Sequence, residues 1–265
     1  MKVAIIAPTR FLNRYSTTGY HLALAHMVLN DPEYRSFYRD KPYVAKDGYV
    51  ILDNSMVELD KPLSLEDLHV AVTMIRPDEL ILPDFLDDPY GTVEAAKDTV
   101  AYFKNLFPTM KLQAVPHWTP SHTPQHWQDC YNELCDIDGI DVIGIRKGLK
   151  SARPDCVQWL DENRAEHVEH HLLGTWHWLK EVQSLTHYSW IRGIDSKAPV
   201  RLGQAGIVLH PMEGLVVPQL RAACPPLDFG MKVDLFPIIT QYNVNLFIDW
   251  AESRRPADVI ELHRS

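Results

Sequence analysis

Three aspartates stand directly after short strand-like runs at well-separated places in the sequence. Asp53 follows the run VIL, Asp84 follows ILP and Asp195 follows RGI. A carboxylate can serve as a nucleophile, as a general acid or base, or as an acceptor of hydrogen bonds from a substrate. One aspartate in such a position more often caps a helix or begins a turn. Three of them in the same position favour an active site over three unrelated turns.

Two further runs of the same kind end in residues that can do chemistry. His117 follows the run LQAVP, and Lys147 with Gly148 follows VIGIR. They add an imidazole and an amine to the three carboxylates. That mixture suits nucleophilic or acid–base catalysis, provided that the fold brings the ends of these runs together.

Short apolar runs alternate with longer amphipathic stretches along the chain, which predicts a parallel sheet whose strands are joined by helices. At 265 residues, the chain has the length of one α/β barrel. We therefore predict an α/β fold with a single (β/α)₈ TIM-barrel domain over residues 1–265, in which the carboxyl ends of the strands converge on one face. The predicted strands are 3–8, 49–54, 79–84, 112–117, 142–147, 171–175, 190–195 and, more weakly, 206–210.

The helices between these strands have recognisable starts. Ser64 followed by Asp67 predicts an N-cap with an acidic residue three positions on. Two segments, 30–47 and 211–234, fit neither pattern and are predicted to be insertions at the barrel rim. The remaining predicted helices are 92–107, 125–135, 154–164, 176–185 and about 235–253.

The composition argues against several classes of protein. Hydrophobic residues make up 46% and charged residues 23%, which is typical of a folded soluble chain, and no apolar stretch is long enough to span a bilayer. We expect a cytoplasmic protein with no membrane partner, whose four cysteines stay reduced. The net charge of −9 argues against indiscriminate coating of nucleic acid, because such binding depends on neutralising phosphates. Basic residues still cluster within 146–153 and 192–201, so a local basic rim remains open.

A metal site is the main alternative interpretation of the strand ends. Asp53, Asp84 and His117 would supply the oxygen and nitrogen ligands of a metal-dependent barrel hydrolase. No HExxH or HxH pair is present, and the cysteines lack the paired CxxC spacing of a zinc site. We therefore expect no metal at this site, and the family resemblance described next implies a reaction that needs no other cofactor.

Taken in order, the strand ends resemble the tRNA-guanine transglycosylase superfamily, and more closely its phage members that place 7-deazaguanines in DNA. Order and spacing carry the resemblance more than any single motif does. The matching segments span most of the chain and are ILDNS at 51–55, LPD at 82–84, AVPH at 114–117, IRKGL at 145–149, LLG at 172–174 and IDSKAPVR at 194–201.

The resemblance implies that guanine in phage DNA is exchanged for a 7-deazaguanine such as 7-cyano-7-deazaguanine, with DNA and the free base as partners. It implies that Asp195 is the covalent nucleophile and that Asp53 acts as an acid–base group. The residues expected to bind the base are Asp84, Asn54, His117, Lys147 and Gly148. The residues expected to hold the DNA backbone are Arg146, Lys150, Lys197 and Arg201. Self-association of the protein is left open.

The chain departs from the tRNA-modifying members in two ways. Their CxCxxC motif for structural zinc is missing, and their Gln-Gly segment is replaced by Pro116-His117. The missing zinc segment, which those enzymes use for tRNA, favours DNA as the polymer. The alternatives are a tRNA-guanine transglycosylase, a metal-dependent hydrolase and a catalytically silent nucleic-acid-binding relative.

Overall fold

A computed structural model describes residues 1–39, 48–118, 124–147, 152–175, 181–211 and 224–253. The strands in these ranges are β1 (Lys2–Ile5), β2 (Tyr20–Leu24), β3 (Tyr49–Asp53), β4 (Glu79–Ile81), β5 (Lys111–Ala114), β6 (Val142–Arg146), β7 (Glu169–Leu173) and β8 (Ile191–Ser196). They join in one eight-stranded sheet in the order β1-β8-β7-β6-β5-β4-β3-β2. Strands that alternate with helices in this way form the (β/α)₈ fold, which confirms the predicted fold class.

Helices connect the strands, and their bounds agree with most of the sequence-based predictions. A 3-10 turn at Thr9–Phe11 precedes the first of them. The helices are α1 (Leu12–Tyr15), α2 (Ala25–Asn30), α3 (Pro32–Arg39), α4 (Met56–Leu59), α5 (Leu65–Ile75), α6 (Pro89–Leu106), α7 (Pro124–Cys135), α8 (Ala152–Asn163), α9 (Glu181–Leu185), α10 (Ala198–Gln204) and α11 (Pro237–Glu252). No helix within the described ranges is long and apolar enough to cross a membrane.

The chain divides into two compact units, Leu22–His171 and the pair Met1–His21 with Leu172–Ser265. In the first of these, β3 to β6 pair in parallel, with Leu52 opposite Leu80 and Leu80 opposite Leu112. These three leucines are fully buried. Burial of one such side chain contributes roughly 1.5–3 kcal/mol relative to leaving it exposed. The apolar face of these strands therefore supports the loops that follow them.

In the other unit, β1 and β8 pair in parallel, with Ala4 opposite Asp195. Helices α10 and α11 pack closely, because Gly203 has no side chain at their contact. A Cβ atom at Gly203 would lie 2.4 Å from the Cα of Thr240. We take this close approach as the reason for glycine at this position.

Two parts of the predicted strand pattern are wrong. Residues 206–210 form no strand, because hydrogen bonds of Asn243 on α11 hold them as irregular chain, with Leu209 N–H donating to Asn243 Oδ1 at 2.9 Å. The eighth strand is instead β2 (Tyr20–Leu24), which is not among the strands predicted from the sequence. All five of its residues are buried, so it shows no alternation of apolar and polar residues to identify it.

Local signals predicted other elements correctly. The Ser64 side chain caps α5 by accepting a hydrogen bond from the Asp67 N–H at 3.1 Å, as the spacing predicts. The predicted insertion at 30–47 begins with helix α3 (Pro32–Arg39), and its remainder at 40–47 lies outside the described residues. Of the insertion at 211–234, residues 212–223 also lie outside them.

Candidate active site

The unit Leu22–His171 contains a chain of hydrogen bonds that joins the carboxyl ends of four neighbouring strands. It begins at the buried Asn54, which follows β3. Asn54 Oδ1 accepts the Met56 N–H at 2.9 Å, so the other end of its side chain carries the amide hydrogens. That Nδ2 group donates to the Leu82 carbonyl and to Asp84 Oδ1, each at 2.6 Å. The amide of Asn54 thereby connects the end of β3 to the segment after β4.

The chain of hydrogen bonds continues from Asp84 to His117 and Arg146. Asp84 Oδ2 lies 2.5 Å from His117 Nε2, and Arg146 Nη1 lies 3.0 Å from His117 Nδ1. A guanidinium can only donate, so Nδ1 must accept and Nε2 must carry the proton that His117 shares with Asp84. Burial lowers the pKa of Arg146, while the charges of Asp84 and Asp87 oppose that shift. His117 is fully buried with both ring nitrogens engaged inside the protein.

The environment of Asp84 makes it an acceptor of hydrogen bonds. The residue is only 6% exposed, and each carboxylate oxygen receives one donor, from Asn54 or from His117. A carboxylate has about four acceptor positions, so two remain for a ligand that presents two donors. Two internal donors also orient the group before any ligand binds.

Asp53 is held by a tight turn at the end of β3. Its Oδ1 accepts the Ser55 N–H at 2.6 Å. Ser55 has a φ of 63°, a left-handed conformation that serine rarely adopts. His26 on α2 secures it, because Ser55 Oγ lies 3.1 Å from the His26 N–H and 2.8 Å from His26 Nδ1. His26 and Ser55 thus position the Asp53 turn, although sequence reasoning did not single them out.

In the unit formed by Met1–His21 and Leu172–Ser265, Asp195 lies on β8 and is 6% exposed. The Gly174 N–H donates to Asp195 Oδ1 at 3.1 Å. Gly174 has a φ of 64°, which glycine adopts without strain. A backbone donor on one oxygen fixes the orientation of the carboxylate plane.

Ser196 and Thr175 form a second contact beside this carboxylate that the sequence did not reveal. Their hydroxyl oxygens lie 2.7 Å apart, and both residues are buried. Ser196 Oγ also accepts the Ala198 N–H at 3.1 Å, next to the start of α10. Thr175 directly follows Gly174, and Ser196 directly follows Asp195. This polar pair therefore links the segment after β7 to the end of β8, next to the contact between Gly174 and Asp195.

The predicted basic residues have different surroundings. Arg146, Lys147 and Lys197 are all partly exposed, and Arg146 donates to His117. Arg201 on α10 is partly exposed as well, and its buried Nε atom has no hydrogen-bond partner among the described residues. Gly148 and Lys150 lie outside the described residues.

The alternative of a metal centre gains no support from this geometry. Across the described ranges, no three His, Cys, Asp or Glu side chains are grouped so that they could hold a metal ion. Asp84 and His117 are in contact, but Arg146 donates to the second ring nitrogen of His117. Both ring nitrogens of His117 are therefore engaged within the protein and cannot also bind a metal ion.

Comparison with known proteins supports the fold but does not identify the reaction. A Coccidioides immitis protein assigned as a fructose-1,6-biphosphate aldolase has a similar crystal structure, with a TM-score of 0.54 and 12% sequence identity, over 97% of this chain and 91% of that chain. At this identity the likeness shows the fold alone. No protein-family profile matches the sequence, and no curated protein matches it. The chain therefore has a (β/α)₈ fold, an architecture typical of enzymes.

Proposed function

We propose that this protein is a DNA-guanine transglycosylase, which exchanges a guanine in DNA for a 7-deazaguanine such as 7-cyano-7-deazaguanine. The hydrogen bonding of Asp84 is the observation that carries this proposal. Guanine presents two adjacent donors on its Watson–Crick edge, the N1–H and the 2-amino group. The two acceptor positions left on Asp84 match that pair of donors.

Asp195 is the nucleophile in this mechanism. One of its oxygens attacks C1′ of a deoxyguanosine, the bond between C1′ and N9 breaks, and guanine leaves with the bonding electron pair. The resulting ester to the sugar retains an activated C1′. The Gly174 N–H, 3.1 Å from Asp195 Oδ1, orients the carboxylate for attack by its other oxygen.

Asp53 moves the proton in both halves of the exchange. As the carboxylic acid it protonates the departing guanine, and as the carboxylate it then removes the N9 proton of the incoming 7-deazaguanine. That base attacks C1′, the ester bond breaks and Asp195 is released. The turn through Ser55 holds Asp53 ready for this role. His117 acts through Asp84, because its ring nitrogens are already engaged by Asp84 and Arg146.

DNA is the proposed polymer, and basic residues near the end of β8 would hold it. A base within a duplex cannot reach a buried carboxylate, so the target nucleotide must be flipped out or supplied single-stranded. The partly exposed side chains of Lys197 and Arg201 suit contacts to backbone phosphates. The absence of the CxCxxC segment from the sequence favours DNA over tRNA.

Base exchange tests the proposal directly. The protein is incubated with single-stranded or duplex DNA and either radiolabelled guanine or 7-cyano-7-deazaguanine, and label in the recovered polymer is measured. We expect incorporation into DNA, release of one guanine per base inserted, and no loss of activity on treatment with EDTA.

A parallel reaction with tRNA separates the alternatives. Incorporation into tRNA but not into DNA would show that the polymer is assigned wrongly. Absence of incorporation into both would overturn the transglycosylase proposal. Activity that EDTA abolishes and that a divalent metal restores would instead favour the metal-dependent hydrolase.

A further inference from the structure

Arg146, the last residue of β6, has hydrogen-bond donors that its neighbours do not use. Its Nη1 atom donates to His117 Nδ1 at 3.0 Å. A guanidinium carries further N–H groups in the same plane, and these have no acceptor among the described residues. Arg146 is partly exposed, so a ligand can reach them. The residue is therefore a donor that the protein orients on one side and leaves open on the other.

Arg146 and Asp84 lie on two sides of the same imidazole ring. Asp84 Oδ2 lies 2.5 Å from His117 Nε2, while Arg146 donates to Nδ1 of that ring. Asn54 donates to the other carboxylate oxygen, Asp84 Oδ1, at 2.6 Å. The groups thus follow one another in the order Oδ1, Oδ2 and guanidinium. They present two acceptors followed by a donor, across the width of one imidazole and its two hydrogen bonds.

The Watson–Crick edge of guanine has the complementary order of groups. Its 2-amino group and N1–H are donors, and the carbonyl O6 beside them is an acceptor. With the 2-amino group on Asp84 Oδ1 and the N1–H on Oδ2, O6 lies on the side of Arg146. Arginine is a common donor to O6 of guanine in protein–DNA complexes. Guanine and the 7-deazaguanines share this edge, so the same groups can hold the departing base and the incoming one.

The charges around Arg146 favour a neutral acceptor over a phosphate. Burial lowers the pKa of Arg146, and the nearby carboxylates of Asp84 and Asp87 act in the opposite direction. A phosphate bound by Arg146 would be repelled by both carboxylates, whereas a carbonyl oxygen carries no net charge. A base therefore fits this position better than the DNA backbone, which is the ligand that the sequence resemblance implied for Arg146.

We propose that Arg146 determines base specificity by donating to O6 of the base, while Asp84 accepts the N1–H and the 2-amino group. The identity of the ligand rests on the proposed base exchange. The ligand class is purines and 7-deazapurines with a 2-amino-6-oxo edge. Adenine is rejected, because its 6-amino group would face Arg146 as a second donor and its N1 would face Asp84 as a second acceptor.

Binding of free bases in the absence of DNA tests the proposal. Equilibrium dialysis with radiolabelled guanine, and with unlabelled bases as competitors, gives the Kd of each base. Hypoxanthine keeps O6 but lacks the 2-amino group, whereas 6-thioguanine keeps both donors and has sulfur, a weak acceptor, in place of O6. Both are expected to bind wild-type protein about tenfold more weakly than guanine, the usual effect of losing one hydrogen bond to a charged group.

Substitution of Arg146 should remove the preference for O6 alone. In Arg146→Met, guanine is expected to bind about tenfold more weakly than in the wild type and no better than 6-thioguanine. The preference for guanine over hypoxanthine should remain, because Asp84 is unchanged. Arg164→Met removes a partly exposed arginine just after α8 and should match the wild type. Circular dichroism and urea unfolding check that each variant is folded.

Four results would count against one or other assignment. A folded Arg146→Met protein that still prefers guanine over 6-thioguanine overturns the proposal for Arg146, and so does a wild-type protein that does not bind guanine. Loss of both preferences would show that Arg146 acts only by orienting Asp84 through His117. Unchanged base preferences with weaker binding of DNA would place Arg146 on the backbone. By contrast, a wild-type protein that binds guanine with the expected preferences but exchanges no base would reject the transglycosylase and retain the role of Arg146.

Discussion

His117 Nε2 lies 2.5 Å from Asp84 Oδ2, and the proton in this contact belongs to the imidazole. The assignment follows from Arg146, which reaches the other ring nitrogen at 3.0 Å and can only donate. Asp84 is therefore an acceptor on both oxygens, with Asn54 as its second internal donor. The same network that orients Asp84 leaves its remaining acceptor positions for a ligand.

The tautomer of His117 can be observed directly. We expect the ¹⁵N chemical shifts of the His117 ring to show a proton on Nε2 and none on Nδ1. In Arg146→Met, which removes the donor, the ring is expected to exchange between both tautomers. A wild-type ring protonated on Nδ1 would contradict the assigned network, since Arg146 could not then donate to it.

Asp84→Ala is expected to destabilise the fold and to abolish base exchange. It leaves the buried donors of Asn54 and His117 without their acceptor, which costs about 1–3 kcal/mol of unfolding free energy for such a group. Asp84→Asn keeps the shape but replaces one acceptor oxygen by a donor, so KM for the base should rise at least tenfold. Urea unfolding and exchange kinetics measure the two effects. Asp98→Asn, on the exposed face of α6, serves as the control and should match the wild type.

Asp195→Asn is expected to lower the rate of base exchange at least a thousandfold, with little loss of stability. An amide of the same shape still accepts the Gly174 N–H but is a poor nucleophile. Mass spectrometry of wild-type protein quenched with DNA and no incoming base should reveal a sugar adduct on a peptide containing Asp195. An adduct on another residue, or full activity of the variant, would show that the nucleophile is assigned wrongly.

His26 and Ser55 are expected to affect turnover through Asp53. In His26→Leu the Ser55 hydroxyl loses its contact with Nδ1, so the left-handed turn loosens and kcat falls, while KM for DNA changes little. His26→Asn retains an acceptor near the same position and should restore most of the activity. Equal loss of activity in both variants would mean that His26 has only a packing role. Exchange kinetics and thermal unfolding are measured together for each variant.

His21 makes the stability of the protein depend on pH. Burial lowers the pKa of His21 from 6.5 to about 4 in the folded protein. Between these values the unfolded chain binds a proton that the folded chain does not, so stability is complete above pH 6.5 and falls as pH decreases toward 4. One group with a pKa shift of this size lowers the free energy of unfolding by on the order of 3 kcal/mol over this pH range.

Urea unfolding at pH 7.0 and at pH 4.5 measures this effect of His21. His21→Leu removes the buried imidazole, so its unfolding free energy should change less between the two values than that of the wild type. His210→Leu replaces an exposed imidazole and is expected to keep the wild-type difference. An equal pH dependence in wild type and His21→Leu would rule out His21 as its source.

Part of this protein could be predicted from its sequence, because the relevant signals are local. The alternation of apolar runs with amphipathic stretches predicts the (β/α)₈ fold. The Ser64 cap is a contact over three residues, and the position of Asp53, Asp84 and Asp195 after strand-like runs is visible in the sequence itself. For the same reason, β2 (Tyr20–Leu24) was missed, since a fully buried strand has no alternation to detect.

Only the tertiary structure determined which hydrogen bonds those aspartates make. Asn54 and Asp84 are 30 residues apart, and Asp84 and His117 are 33 residues apart. No local pattern indicates that a lone histidine after a proline will donate to a distant carboxylate rather than bind a substrate. Residue types along the chain determined which groups were available for chemistry. The pairing of parallel strands determined which of them became hydrogen-bonded neighbours, because register brings together positions that the sequence keeps far apart.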